Sequence, residues 1–300
     1  MAITKGIYQY DVKYTSRFKK LPTLMEESKI SSQGILIQLV LGKADIRDLS
    51  GKLLIKQDQN YTVLPSQKSG IATYAILTDF FGVDITQKKE RNICNQFLSK
   101  DRHNIFVYTQ ILNELSQYFV CNKTSPVEGF LHLYRMLEFM SYSFPMMYAS
   151  TTMKYKGSYD ALQKLFKGDS AGELKFFKNF IDVLYETEPL IKKYTFSQYI
   201  DVTNIHEVEH DFNEIFNKVN PKPFSFSGNT IEFEFRYVID IFVTIRNRYF
   251  HMLAGQGMYN FHNINYDIKE LFAGLNPAFL SWLIQIFTSI EQHGVQLFSY

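Results

Sequence analysis

Apolar residues recur at helical spacing from about residue 69 to the end of the chain, and no other feature constrains the fold as strongly. Several of these segments have a readable start. The clearest is Ser125-Pro126-Val127-Glu128, which joins a capping-box serine and glutamate to a proline at the first helical position. We expect this helix to run until Pro145 interrupts it. The pattern predicts a mainly α protein.

Further helices are predicted from the same spacing and from their capping residues. They are a helix containing Ile71 and Phe81, one from Asp101 through Tyr118, one opening at Ser158, one opening at Asp169 or Ser170, one over His206–Lys218 after Asn204, and a last one from Asn276-Pro277 to about His293. Residues 237–253 also have helical spacing. Residues 231–236 alternate like a strand, and their structure is left open.

The first eighty or so residues are mixed in character. Residues near the N-terminus alternate between aromatic or apolar and polar, as in a half-buried strand; the alternating set is Tyr8, Tyr10, Val12 and Tyr14. Leu53–Ile55 and Tyr61–Leu64 also indicate strands, and Ile35–Leu41 fits a buried strand or a helical turn. We therefore predict an α+β module over residues 1–85 and a helical domain over residues 86–300.

Composition limits the function classes. The chain has 300 residues, of which 46% are hydrophobic and 21% charged, and its net charge of +2 argues against a protein that coats a polyanion. Two cysteines are too few for a disulfide scaffold or a four-thiolate zinc site, so inert thiols are expected. The N-terminus has no signal-peptide core, and no apolar run approaches the roughly 20 residues that cross a bilayer. We expect a cytoplasmic protein without membrane contact.

Two short motifs point to different chemistry. His206-Glu207-Val208-Glu209-His210 matches the zinc motif H-E-x-x-H, in which two histidines one helical turn apart bind the metal and the first glutamate acts as base. Composition alone gives such a match in about one comparable chain in a hundred. The surrounding charges are typical of a solvated acidic face, and no third ligand is evident. The zinc site is therefore the least favoured alternative, and we expect no metal and no cofactor.

The second motif is Arg246-Asn247-Arg248-Tyr249-Phe250-His251, which is about as rare. Asn247 and His251 are four residues apart and therefore lie about 40° apart on one helix face. Arg246 is about 140° from His251, but its long side chain can fold over the edge. An imidazole can move protons near neutral pH, and a guanidinium can hold phosphate oxygens. The triplet therefore suits phosphodiester cleavage without a metal.

A mostly helical chain with R-N-x-x-x-H on a late helix, followed by another helix, resembles the HEPN superfamily. The resemblance covers roughly residues 100–297 and implies a helical bundle of HEPN type that acts as a metal-independent endoribonuclease in bacterial toxin, abortive-infection or antiphage systems. It implies that Arg246 stabilises the phosphate, that Asn247 is the polar residue beside it and that His251 is the catalytic histidine. It also implies a homodimer with a composite cleft, an RNA substrate, and a regulatory protein or antitoxin as partner.

Polar residues recur every three positions on the helix that begins at Ser125; they are His132, Arg135, Glu138 and Ser141. Arg135 and Glu138, together with Arg248, are candidates for supporting the catalytic groups, and burial of the stripe among apolar neighbours is expected. The alternative is a simple Arg135–Glu138 ion pair at i, i+3.

Three functions are carried forward from the sequence. The first is the endoribonuclease. The second is a catalytically silent, partner-binding or regulatory subunit, in which Arg246 pairs with an internal carboxylate such as Glu138 and His251 is buried. The third is a zinc hydrolase built on His206 and His210.

Overall fold

The structure is a computed structural model. It describes residues 2–13, 22, 25, 30–62, 73–100, 104–150, 155–166, 173–187, 191, 194–199, 205–216, 223–250 and 267–298. The bounded helices are α1 (Ser32–Val40), α2 (Thr73–Phe81), α3 (Lys88–Lys100), α4 (Ile105–Cys121), α5 (Pro126–Ser150), α6 (Tyr155–Leu165), α7 (Glu173–Leu184), α8 (Ile205–Ile215), α9 (Val238–Phe250) and α10 (Ile268–Leu297). The strands are β1 (Ala2–Lys5), β2 (Tyr8–Val12), β3 (Ala44–Arg47), β4 (Leu53–Ile55), β5 (Thr195–Tyr199), β6 (Ser225–Ser227) and β7 (Thr230–Glu234). The predicted mainly α class is confirmed.

Helix α10 forms the centre of the core and packs against α5, α2, α3, α9 and β5. Among the described helices it is the one long and apolar enough to cross a membrane, but 78% of its apolar window is buried inside the protein. Trp282 on this helix is fully buried, and its indole nitrogen donates to the Phe235 carbonyl oxygen at 2.9 Å. Helix α10 is therefore a core helix of this fold.

Two antiparallel sheets accompany the helices, with strand orders β1-β2-β3-β4 and β5-β7-β6. The alternation in β2 is confirmed, because Tyr8, Tyr10 and Val12 are buried and the residues between them are not. The connection from α1 to β3 turns at Gly42, whose φ is +71°. A Cβ there would lie 2.3 Å from the Gln59 carbonyl oxygen, so only glycine fits.

The second sheet contains most of residues 231–236, whose structure the sequence left open. Residues Thr230–Glu234 form β7, a short 3₁₀ turn covers Phe235–Tyr237, and α9 begins at Val238. The partner strands β5 and β6 were not predicted, so residues 86–300 are not purely helical. Ile35–Leu41 belongs to helix α1 and its C-cap; Ser31 caps this helix through a 3.1 Å hydrogen bond from the Gly34 amide.

The ends of two helices differ from the prediction. Helix α5 continues through Pro145 to Ser150, because Pro145 is buried together with Phe144 and Met147 and their packing outweighs the lost backbone hydrogen bond. Helix α10 begins at Ile268, with the Asp267 carboxylate accepting from the Lys269 amide at 2.7 Å. Asn276 does not cap a helix. Its buried side-chain amide donates to the Asn122 side chain and to the Pro126 carbonyl, both at 2.7 Å.

The remaining predictions have mixed outcomes. The strand at Leu53–Ile55 is confirmed as β4, whereas Tyr61 and Thr62 lie in a turn. The predicted capping residues Asp101, Asp169, Ser170 and Asn204 lie outside the described residues, as do Tyr14, Val63 and Leu64.

The N-terminal elements pack directly on the helices that follow. The Tyr10 hydroxyl lies 2.8 Å from the Ser116 hydroxyl, and the Thr109 hydroxyl donates to that of Ser32 at 2.8 Å. Buried residues from both sides of position 85 belong to one apolar cluster. The division at residue 85 stays a prediction.

One buried carboxylate links three helices. Glu291 on α10 is fully buried and accepts from the Gln33 side-chain amide of α1 at 2.9 Å and from the Tyr108 hydroxyl of α4 at 3.0 Å. Glu291→Ala removes the acceptor for both donors and opens a cavity, so we expect a loss of about 2–4 kcal/mol in the free energy of unfolding. Glu291→Gln keeps one carbonyl acceptor and should lose less. Urea denaturation measures both variants; equal stability of wild type and Glu291→Ala would contradict this role.

Candidate functional site

The R-N-x-x-x-H motif lies at the C-terminal end of α9. The opposite side of this helix is held by the core, in which Ile241, Phe242 and Ile245 are buried. Arg246 and Asn247 are half-buried on the last described turn. His251 follows α9 directly but lies outside the described residues. The structure therefore places two of the three predicted catalytic residues side by side.

Two contacts fix the side chain of Arg246. Its Nη1 donates to the Oδ1 of Asn247 at 3.0 Å, and its guanidinium carbon lies 5.3 Å from the centre of the Tyr134 ring on α5. Such a cation–π contact stabilises the charge without neutralising it. No salt bridge of Arg246 occurs in the part of the chain that the structure describes. The guanidinium thus keeps most of its N–H donors for another acceptor.

The residues expected to support the motif lie in different surroundings. Arg248 is 5% exposed, which places it in the packed interior. Arg135 and Glu138 are both exposed, so the expectation of a buried polar stripe is wrong for these two. The reason is geometric, because residues three apart move about 60° backwards around a helix at each step. A stripe with this spacing winds around the helix, so its middle residues face solvent while Ser141 returns to the core.

The other two residues of that stripe face the protein. His132 is half-buried, and its Nδ1 lies 2.7 Å from the Oε2 of Glu114 on α4. Ser141 is buried and donates to the Glu138 carbonyl oxygen at 2.8 Å. Neither residue contacts the side chain of Arg246 or Asn247.

The H-E-x-x-H segment forms the first turns of α8, and its three metal-binding candidates, His206, Glu207 and His210, are all exposed. The His210 side chain is 69% exposed, and its Nδ1 is 3.7 Å from the Asp211 carboxylate. Within the described residues, no third ligand joins these side chains in a metal-binding group. The two histidines therefore lie on a solvated face, as the surrounding charges indicated.

Three potential metal ligands come together elsewhere. Ligand atoms of Cys121, Glu128 and His132 all lie within 4.8 Å of one another at the connection between α4 and α5. Burial and the nearby Glu128 charge raise the pKa of the Cys121 thiol to about 11. Burial likewise raises the pKa of the Cys94 thiol to about 12. Both thiols are therefore poor nucleophiles at neutral pH, as the sequence predicts.

A cavity of about 750 Å³ lies between the end of α4, strand β5 and the middle of α10. Its walls are rich in aromatic rings, and Lys123 and Ser281 are among its polar residues; the aromatic residues are Tyr61, Tyr118, Phe119, Tyr194 and Phe196. Burial raises the pKa of Tyr61 to about 12, so its hydroxyl stays protonated. This cavity has no signature in the sequence, because its lining comes from four distant segments. Neither Arg246 nor Asn247 lines it.

The aromatic residues near the motif belong mainly to the core. Phe233, Phe235 and Phe242 are buried, and the Phe250 ring stacks on Phe130 with ring centres 6.0 Å apart. Tyr237 and Tyr249 are half-buried, and Tyr259 lies outside the described residues. Most of these rings are therefore not free to stack on RNA bases.

Comparisons with protein-family models, with curated proteins and with solved structures found no match for this chain. The resemblance to the HEPN superfamily stays a prediction from the sequence. The function is therefore argued from the chemistry of the site.

Proposed function

We propose that this chain is a metal-independent endoribonuclease of HEPN type, with Arg246, Asn247 and His251 as its catalytic residues. The observation that carries the proposal is the surroundings of the Arg246 guanidinium. Its guanidinium is half-buried and held by an amide oxygen and an aromatic face, while no described carboxylate neutralises it. A positive charge withdrawn from water is normally paired. The described residues supply no such partner, and the phosphate of RNA is an anionic group that would pair with the guanidinium.

The proposed reaction divides the work between two side chains. His251 removes the proton from a ribose 2′-OH, and the 2′-oxygen attacks the adjacent phosphorus. The bond from phosphorus to the 5′-oxygen breaks, and that oxygen takes up a proton from the protonated His251, which returns the histidine to its starting form. Arg246 holds the non-bridging phosphate oxygens and stabilises the negative charge that grows on them. Asn247 fixes the guanidinium through the 3.0 Å hydrogen bond. The products carry a 2′,3′-cyclic phosphate and a 5′-hydroxyl.

The proposal includes a homodimer. The cavity of about 750 Å³ is not lined by Arg246 or Asn247, so the composite cleft of the proposed dimer would lie along α9 instead. A second copy facing α9 would provide the other wall and a second motif. As a toxin or antiphage effector the protein would act in the cytoplasm, under control of a regulatory protein or antitoxin.

The silent-subunit alternative makes a different structural demand. It requires an internal carboxylate on Arg246, and Glu138 was the candidate. Glu138 is exposed, and Arg246 forms no salt bridge with any described residue. The surroundings of Arg246 therefore favour the enzyme over the silent subunit.

The test is cleavage of labelled RNA by the purified full-length protein in the presence of excess EDTA. We expect cleavage at the same rate with and without the chelator, because the proposed chemistry uses only side chains. Added Mg²⁺ should not raise the rate. Cleavage that appears only with a divalent metal, or no cleavage of any RNA class tested, would contradict the proposal.

A further inference from the structure

The connection between α4 and α5 brings together three side chains of metal-binding type. Cys121 is the last residue of α4, and Glu128 and His132 are one helical turn apart on α5. Residues at i and i+4 share a helix face, so the two α5 side chains point the same way. Sulfur, nitrogen and oxygen ligand atoms thus meet within 4.8 Å of one another.

The backbone around these residues is well fixed. The Ser125 amide donates to the Cys121 carbonyl oxygen at 2.8 Å, which closes the turn between the helices. Gly129 lets α5 approach the turn, because a Cβ there would lie 2.5 Å from the Oδ1 of Asn122. That Oδ1 also accepts from the buried Asn276 of the central helix. The three side chains are therefore carried by a rigid part of the fold.

His132 is held in the way that metal-binding histidines commonly are. Its Nδ1 donates to the Glu114 carboxylate at 2.7 Å, and both side chains are largely buried, at 11% and 16% exposure. With the Nδ1 proton committed to Glu114, the lone pair of the imidazole resides on Nε2. A carboxylate that fixes the tautomer and orientation of a histidine in this manner raises its basicity as a metal ligand.

We propose that Cys121, Glu128 and His132 bind one divalent cation of the zinc class, with Glu114 as the positioning residue for His132. A thiolate and an imidazole select zinc-like ions over Mg²⁺ and Ca²⁺, which prefer oxygen ligands. Ligand atoms around tetrahedral zinc lie about 3.3–3.6 Å apart, so side-chain movements of roughly 1 Å close the observed group. Water completes the fourth position.

The charges also balance at this site. A thiolate and a carboxylate carry two negative charges, which the divalent ion neutralises. When the cation binds, the thiol proton is released to solvent, because the thiolate is the form that coordinates the ion. Cation binding then ties the end of α4 to the start of α5. This role lies beyond the proposed RNA cleavage and takes no part in its chemistry.

The test uses metal-free full-length protein titrated with Co²⁺, which gives a sulfur-to-cobalt charge-transfer absorption when a thiolate binds it. We expect one equivalent of Co²⁺ per chain, displaced by Zn²⁺. Cys121→Ala should abolish the absorption and His132→Ala should weaken binding at least 10-fold. Glu114→Gln should weaken it about 10–100-fold. The matched control is Cys94→Ala, which removes the other, buried cysteine and should leave the absorption unchanged.

A second measurement needs no substitution. Zn²⁺ should protect Cys121 from alkylation in the wild-type protein, as read by mass spectrometry of the peptide that contains it. No charge-transfer absorption, the same absorption in Cys121→Ala, or alkylation of Cys121 at an unchanged rate would overturn the site. These outcomes are separate from the endoribonuclease proposal, because RNA cleavage in EDTA and Co²⁺ binding are measured independently.

Discussion

Arg246→Ala is expected to lower the rate of RNA cleavage about 10²–10³-fold, the usual effect of removing one donor that stabilises transition-state charge. The side chain is half-buried but forms no described salt bridge, so its removal leaves no buried carboxylate without a partner. The free energy of unfolding should therefore change little, apart from the lost contact with Tyr134. Single-turnover cleavage assays and urea denaturation of the same preparation separate the two effects.

The structure offers a matched control for this variant. Arg236 also lies against an aromatic ring, with its guanidinium carbon 4.6 Å from the centre of Tyr237, and it is paired with Glu234 at 2.9 Å. Arg236→Ala should leave the cleavage rate within a factor of about 2, since exposed ion pairs contribute little. Arg246→Lys keeps the charge but loses the planar fork, and its rate should lie between those of wild type and Arg246→Ala. Equal loss in Arg236→Ala and Arg246→Ala would contradict a catalytic role of Arg246.

His251→Ala is expected to lower cleavage about 10²–10⁴-fold, the range that general acid–base groups contribute. The control is His210→Ala, because His210 is exposed on α8 and belongs to the competing zinc motif. His210→Ala should cleave RNA at the wild-type rate. Full activity of His251→Ala would contradict the role of His251 as the base. Loss of activity in His210→Ala would favour the zinc hydrolase instead.

Secondary-structure elements were predictable where a short run of consecutive residues decides the local structure. The alternation of Tyr8, Tyr10 and Val12 gave β2, and the capping signal at Ser125 gave the start of α5. Asn276-Pro277 failed as a helix start for a physical reason. The asparagine amide is used across the core on Asn122 and Pro126, and an ordinary cap at Asp267 starts the helix nine residues earlier. Tertiary hydrogen bonds of this kind have no signature in a single sequence.

The same limit on prediction from sequence applies to the candidate sites. Arg246 and Asn247 were found because neighbours in sequence stay neighbours on a helix. The ring of Tyr134 that supports Arg246 comes from α5, more than a hundred positions earlier, and no periodicity connects the two. Cys121, Glu128 and His132 span only two helix ends, but Glu114 joins them from the middle of α4. The packing of α4 on α5 brings these four residues together, and the sequence alone does not predict that packing.

The most direct measurement of the central claim is the chemistry of the new RNA ends. RNA cleaved by the wild-type protein in EDTA is treated with and without a phosphatase that cannot remove cyclic phosphates, and its termini are identified by mass spectrometry. Attack by the 2′-OH predicts a 2′,3′-cyclic phosphate on one fragment and a 5′-hydroxyl on the other, with both products lost in His251→Ala. A 3′-hydroxyl with a 5′-phosphate, or identical products from His251→Ala, would contradict it.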